Sequence, residues 1–158
     1  GGPFLGPFRI VSYLPIFRYP APRVDRRFED RATIRVGPVQ LTAHVTAGHT
    51  PGCTSWSIPV HHGDRDLQVV LICGLTPPPA LSLGEYPEIR AGFERSFRTL
   101  RSLPADIFLT PHAREFGRWR KYQESLEAED PVEPFIDPEG YARYIDRYEE
   151  RFRDAIAD

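Results

Sequence analysis

The sequence has no methionine, and only two cysteines and two tryptophans among 158 residues. Without a methionine the chain is expected not to open where translation opened. The expectation is that a leader has been removed or that the chain is part of a longer product, since the opening GGPFLGPF has the chemistry of a loop. Two cysteines, Cys53 and Cys73, are too few for the disulfide framework of a small secreted domain, and they fix no compartment. They read as two small buried thiols, with a single bridge between them open to the sequence but not demanded by it. No apolar run reaches the roughly 18 residues of a membrane-crossing helix, and no basic-then-apolar signal segment opens the chain. An excess of basic charge is also missing. Lys and Arg number 20 against 22 Asp and Glu, for a formal charge of -2, so nucleic acid and anionic membrane are not favoured partners.

What is present reads as a globular chain of one-domain length, 41% hydrophobic and 27% charged. Residues 1–22 are rich in Pro and Gly and read as an irregular lead-in, with a short strand at Phe8–Tyr13. Residues 23–158 read as a β-sheet with covering helices. ATIRV (32–36) and VQLTAHVT (39–46) form a hairpin, the second strand alternating Leu41, Ala43 and Val45 with Thr42, His44 and Thr46. CTSWSIPV (53–60) and LQVVLIC (67–73) form another across the polar turn HHGDRD. The unalternating LQVVLIC suggests a strand covered on both faces. Ile89, Phe93, Phe97 and Leu100 make the apolar stripe of a helix over 87–103, which Pro104 ends. DIFLT (106–110) is a short strand, and a second helix is expected over 115–126. A third starts with Asp137 as cap and Pro138 as first residue, its stripe running through Tyr141, Tyr144, Ile145, Tyr148, Phe152 and Ile156. The class is mixed α+β in layers.

Five histidines are candidates for chemistry. His61 and His62 sit in the HHGDRD turn and read as solvated. His44, on the polar face of its strand, reads as a surface or structural residue. His49 differs, because AGHTPGCT (47–54) places it past a strand, after Gly48 and before a Thr-Pro-Gly turn that can hold one imidazole rigidly. His112 has the same setting after DIFLT and Pro111. Two strand-end histidines suggest one shared site, with each left open as metal ligand, catalyst or structural residue. Zinc takes three or four protein ligands, and no other His, Cys, Asp and Glu cluster has ligand spacing, so the chain reads as holding part of a metal site.

These phrases resemble the metallo-β-lactamases of class B, subclass 3. The resemblance is carried by LTAHVTAGHTPGCTSW (41–56), YPEIRAGFERSFRTLRSLPADIFLTPH (86–112) and PFIDPEGYARYIDRYEERF (134–152), with RVDRRFEDRATIRVG (23–37) fitting the segment that leads in. GHTPG alone is shared with glyoxalase-II-like thioesterases and lactonases; CTSW and the long second phrase narrow it to the subclass. Only the C-terminal half of the family's domain is matched, and the family's upstream His-x-His-x-Asp-His signature is absent.

The resemblance implies one half of a four-layer αββα sandwich and a site with two zinc ions. His49 would join two upstream histidines on one ion, and His112 an upstream Asp and His on the other. A zinc-bound hydroxide would open the β-lactam amide. Gly74 and Thr76 would line the substrate side. The chain alone would be inactive, and its inner sheet face would need the missing N-terminal half or a second copy as cover. A periplasmic or secreted location is likewise inherited from the family. Cys73-Gly74 replaces the family's Gly-Ser pair, and Leu81 stands where some members carry tyrosine. Ala105 stands where some carry a cysteine, so the disulfide seen in those members cannot form. Cys73 enters as a minor candidate ligand, because another subclass uses a cysteine nearby. The altered loop leaves a lactone- or thioester-hydrolysing member as the alternative enzyme, and a self-assembling half-domain without catalysis as the alternative to an enzyme.

Overall fold

The computed structural model describes residues 23–77 and 87–157. The strand expected at Phe8–Tyr13, and Leu81, lie outside them. Among the described residues, five strands form one sheet in chain order: β1 (Thr33–Val36), β2 (Val39–Val45), β3 (Thr54–His62), β4 (Arg65–Leu71) and β5 (Ile107–Leu109). The first four meander antiparallel, and β5 adds parallel to β4 after the connecting helix α1 (Pro87–Ser102). Helices α2 (Arg118–Glu127) and α3 (Pro138–Ala157) complete the order. None of the described helices is long and apolar enough to cross a membrane.

Both hairpins form, but the second is tighter than its sequence suggests. His62 pairs with Arg65, leaving only Gly63 and Asp64 in the turn. Gly63 has φ 62°, at the first central position where a two-residue hairpin favours glycine. His61 and His62 therefore lie on β3, not in a solvated turn. His61 stays exposed and meets Asp66 at 2.9 Å, while half-buried His62 bonds Asp130 at 3.0 Å. Arg65 crosses to Asp130 and Glu133, so this network ties the hairpin tip to the segment before α3. The charged ends of the strands keep pairing because each side chain finds a partner.

The helices cover one face of the sheet. Val70, Ile72 and Phe108 meet Phe93, Phe97 and Leu100 of α1 and Tyr141, Tyr144, Ile145, Tyr148 and Phe152 of α3 in one core. The stripes expected from helical periodicity point inward as a result. The α1 and α3 rings interlock, with Phe93, Phe97 and Phe152 at centroid distances of 5.1–6.2 Å. The helix expected over 115–126 is split. A short 3-10 turn (Ala113–Phe116) comes first, then Gly117 at φ 69° resets the chain before α2. At α3 the Asp137 carboxylate accepts the Gly140 amide at 2.8 Å, as its cap position predicts.

The opposite face is largely apolar, because residues paired across the sheet share a side, with Thr54 and the His62–Arg65 pair as its polar members. Ile34 and Val36 stand opposite Leu41 and Val39; Ala43 opposes Trp56; Ile58 and Val60 oppose Val69 and Leu67; Leu71 is flanked by Trp56 and Leu109. Phe28 lies edge-on to Trp56 at 5.2 Å, but Val36 remains 66% exposed and Val39 43%. The double cover expected for LQVVLIC is thus met under the helices and, on the other side, only at Leu67, which is buried. Val70 and Ile72 are buried under helices, while Val69 and Leu71 are only half-buried.

Candidate functional site

His49 is held from three directions. The loop after β2 is closed by the Thr46 amide donating to the Cys53 carbonyl at 2.9 Å and the Cys53 amide donating to the Thr50 carbonyl at 3.2 Å. From below, α1 presses backbone to backbone. A Cβ on Gly92 would lie 3.0 Å from the Ala47 carbonyl oxygen, and Ser96 donates to that oxygen at 2.7 Å. A Cβ on Gly48 would meet the Phe93 ring at 2.9 Å. Both glycines are needed for this approach. Gly48→Ala is therefore expected to destabilise the chain by about 1–3 kcal/mol, the usual cost of overpacking a ring that cannot yield. Urea unfolding checks this; a change within experimental error would mean that Phe93 can move aside.

From above, the segment after β4 lies along the imidazole. A Cβ on Gly74 would be 3.4 Å from His49 Cδ2. His49 Nδ1 is 2.6 Å from the Thr76 carbonyl oxygen. A carbonyl can only accept, so Nδ1 carries a proton, and in the neutral ring Nε2 keeps its lone pair. Ligating histidines commonly have this arrangement, with one ring nitrogen fixed by a backbone carbonyl and the other free for metal. His49 as a residue is exposed, and no hydrogen bond to its Nε2 is present among the described residues.

The two cysteines form a disulfide, Cys53 to Cys73, with Cα atoms 5.8 Å apart. Neither the expected pair of buried thiols nor a ligand role for Cys73 survives this. The β3–β4 pairing carries both residues to one end of the hairpin, where the bond closes. Beneath it, the fully buried Ser55 hydroxyl accepts the Cys73 amide at 3.0 Å and meets the Thr46 hydroxyl at 2.8 Å.

His112 stands past the end of β5. Its carbonyl accepts the Thr110 hydroxyl at 3.0 Å and the Glu115 amide at 2.9 Å, which fixes the turn. Its ring is exposed and makes no hydrogen bond among the described residues. An open cleft is lined by Thr76, Pro111, His112, Glu115, Tyr148 and Arg151. Thr76 thus connects the two histidines: its carbonyl holds His49, and it shares the cleft with His112. Glu115 accepts the hydroxyls of Tyr144, at 3.2 Å, and Tyr148. Burial and then the Glu115 charge push the Tyr144 phenol above the ordinary tyrosine range, and burial with the Glu115 hydrogen bond does the same for Tyr148. Both phenols therefore act as neutral donors that hold Glu115. Sequence reading missed this Glu115–tyrosine support and the Thr76 carbonyl; the i, i+4 spacing of Tyr144 and Tyr148 was its only trace.

His44 is structural. It is buried, bonds the Ser57 hydroxyl at 2.8 Å, and has its pKa lowered by desolvation. Zinc chemistry fits His49, an exposed residue whose Nδ1 is held by a carbonyl, and allows His112. Two imidazoles fall short of a zinc site, and no group of three or more His, Cys, Asp and Glu among the described residues could hold a metal ion.

No family model matches the chain. Solved structures do. The Rm3 metallo-β-lactamase aligns at 30% identity and TM-score 0.80 over 92% of this chain and 55% of its own. BJP-1, a subclass B3 metallo-β-lactamase of Bradyrhizobium japonicum, aligns at 30% identity and TM-score 0.79 over 92% and 55%. Native FEZ-1 metallo-β-lactamase from Legionella gormanii aligns at 30% identity and TM-score 0.83 over 92% and 56%. The chain spans about half the length of the structures it matches. The resemblance to class B, subclass 3 metallo-β-lactamases is thus shown in sequence and fold, over a share of their length consistent with the C-terminal half of their domain.

Proposed function

We propose that this chain is the C-terminal half of a β-lactam hydrolase with two zinc ions, and that a second αβ layer on its apolar face supplies the remaining ligands. The observation that carries the reading is His49. Its Nδ1 is bound to a carbonyl, its Nε2 makes no hydrogen bond among the described residues, and it stands at a strand end in a fold matched by metallo-β-lactamases. His49 would serve one zinc ion and His112 the other. Zinc, when bound, supplies Lewis acidity and a water of lowered pKa. The chain's own residues orient the site. The Thr76 carbonyl fixes the His49 tautomer, Gly74 leaves room beside the ring for substrate, and Glu115 braces the His112 turn through Tyr144 and Tyr148. Alone, the chain is inactive, because two histidines do not complete an open catalytic zinc. The disulfide suits an oxidising compartment, which supports a periplasmic or secreted location.

Co-expression with the N-terminal half of a subclass B3 metallo-β-lactamase tests the reading. Zinc content and hydrolysis of a cephalosporin and a homoserine lactone would be measured side by side. Two zinc ions and cephalosporin turnover, both lost in His49→Ala, are expected. Turnover of the lactone alone would replace the β-lactam reading with that of a lactone hydrolase. A zinc-free homo-oligomer without turnover would make the chain a self-assembling half-domain.

A further inference from the structure

The disulfide is placed where it can do more than staple the fold. Cys53 ends the loop that carries His49, and Cys73 begins the segment that holds the ring. Three residues after Cys73, the Thr76 carbonyl accepts from Nδ1 at 2.6 Å, and between them Gly74 lies against the ring edge. Past Leu71, the last residue of β4, the Ile72 amide donates to the Leu109 carbonyl, the Cys73 amide donates to the Ser55 hydroxyl, and Thr76 hydrogen-bonds the Tyr148 side chain. Beyond Cys73, Leu75, 1% exposed, anchors the segment in the core under the helices, and the disulfide ties that segment covalently to the ring's own loop.

We propose that the Cys53–Cys73 disulfide is a positioning element for His49, holding the Thr76 carbonyl on Nδ1 so that Nε2 faces outward unprotonated. The proposal rests on the reading of His49 as a metal ligand. Reduction by a dithiol breaks the S–S bond and forms two thiols, while the dithiol takes up the oxidised, disulfide form. Leu75 still holds the segment to the core, but its covalent link to the His49 loop is lost, so the Thr76 carbonyl shifts from Nδ1 and the imidazole proton redistributes between its two nitrogens. Ligand presentation at His49 is in this way coupled to an oxidising environment.

The test uses the 158-residue chain, labelled with 15N at histidine and observed by long-range 1H–15N correlation above the histidine titration range. The oxidised chain is expected to show His49 as a single Nδ1-protonated tautomer. Dithiothreitol, or the pair Cys53→Ser with Cys73→Ser, is expected to shift the ratio toward a mixture by roughly tenfold, about what one lost hydrogen bond allows. His44, bonded to Ser57, should keep its tautomer and report an intact fold. An unchanged His49 ratio after reduction overturns the proposal. So does loss of the His44 signature together with that of His49, because the bond would then be a general staple. If the serine pair does not fold, the reduced wild-type chain gives the same reading. A zinc titration of the complemented protein separates the two ideas. A tautomer locked by the disulfide, with no zinc-induced shift at Nε2, leaves the positioning intact and defeats the ligand assignment.

Discussion

Asp137→Ala is expected to destabilise the chain by about 3–5 kcal/mol, the range for removing one partner of a buried ion pair. Lys121 explains the size. Its side chain is only 3% exposed, its ammonium meets Asp137 at 2.8 Å, and it lies 5.3 Å from the Phe108 ring centroid. Without Asp137 that charge stays buried with no counter-ion, and the Gly140 amide at the start of α3 loses its cap. Lys121→Met should cost less, because it removes the buried charge and leaves Asp137, a quarter exposed, still hydrated and still capping. Denaturant unfolding of both variants checks the order; equal costs below about 1 kcal/mol would show that the pair is screened like a surface ion pair.

The same carboxylate sets an acid limb. Burial opposes its ionisation, but the Lys121 hydrogen bond, the Gly140 amide and the charges of Lys121 and Arg143 together hold its pKa below the ordinary aspartate value. A group depressed in the folded state contributes stability that is fully present above its unfolded pKa. That contribution is lost as pH falls through the folded value. Stability should therefore fall below about pH 4, and Asp137→Asn should flatten part of that loss.

The fold was legible where periodicity carried it. The alternation of Leu41, Ala43 and Val45 marks the strand's apolar face, although that face is the uncovered one and Val45 is 38% exposed, whereas the Ile89–Phe93–Phe97–Leu100 stripe is buried in the core, so there local pattern and tertiary outcome agree. The two strand-end histidines were legible because Gly-His-Thr-Pro-Gly and Thr-Pro-His announce tight turns after strands. The disulfide was not, for a definable reason. HHGDRD reads as a long polar turn, and a long turn gives no register. The actual turn is Gly63–Asp64, and continuing the pairing from His62–Arg65 puts Cys53 opposite Gly74, beside Cys73. Reading Gly63-Asp64 as a two-residue turn would have brought the cysteines together. The Thr76 carbonyl was beyond reach, since a backbone acceptor has no residue signature. Glu115 was hidden because its partners, Tyr144 and Tyr148, read as core.

Covering the apolar sheet face is expected to give the largest stability change of any perturbation to this chain. Val36, Val39, Val45 and Val60 are each more than a third exposed, and Trp56, Ile58, Val69, Leu71, Ile107 and Leu109 are half-buried on the same side. Complete burial is worth about 1.5–3 kcal/mol for a large aliphatic side chain left in water. A second sheet laid on this face would thus contribute on the order of 10 kcal/mol, before the entropy of association is subtracted. That is comparable with the whole stability of an ordinary domain. The chain alone should therefore bind a hydrophobic dye or associate. With a complementing half, its unfolding midpoint should rise and become concentration-dependent, as mass action requires when the partner binds only the folded form. Val36→Lys and Val60→Lys, on the exposed part of the face, should make the isolated chain more soluble while weakening complementation, because each buries a charge in the joined protein. A monomer in sedimentation that binds no dye, and whose unfolding is indifferent to the partner, would show that the face is already satisfied; the ligands missing from the His49 and His112 site would then have to come from somewhere other than a layer packed on this sheet.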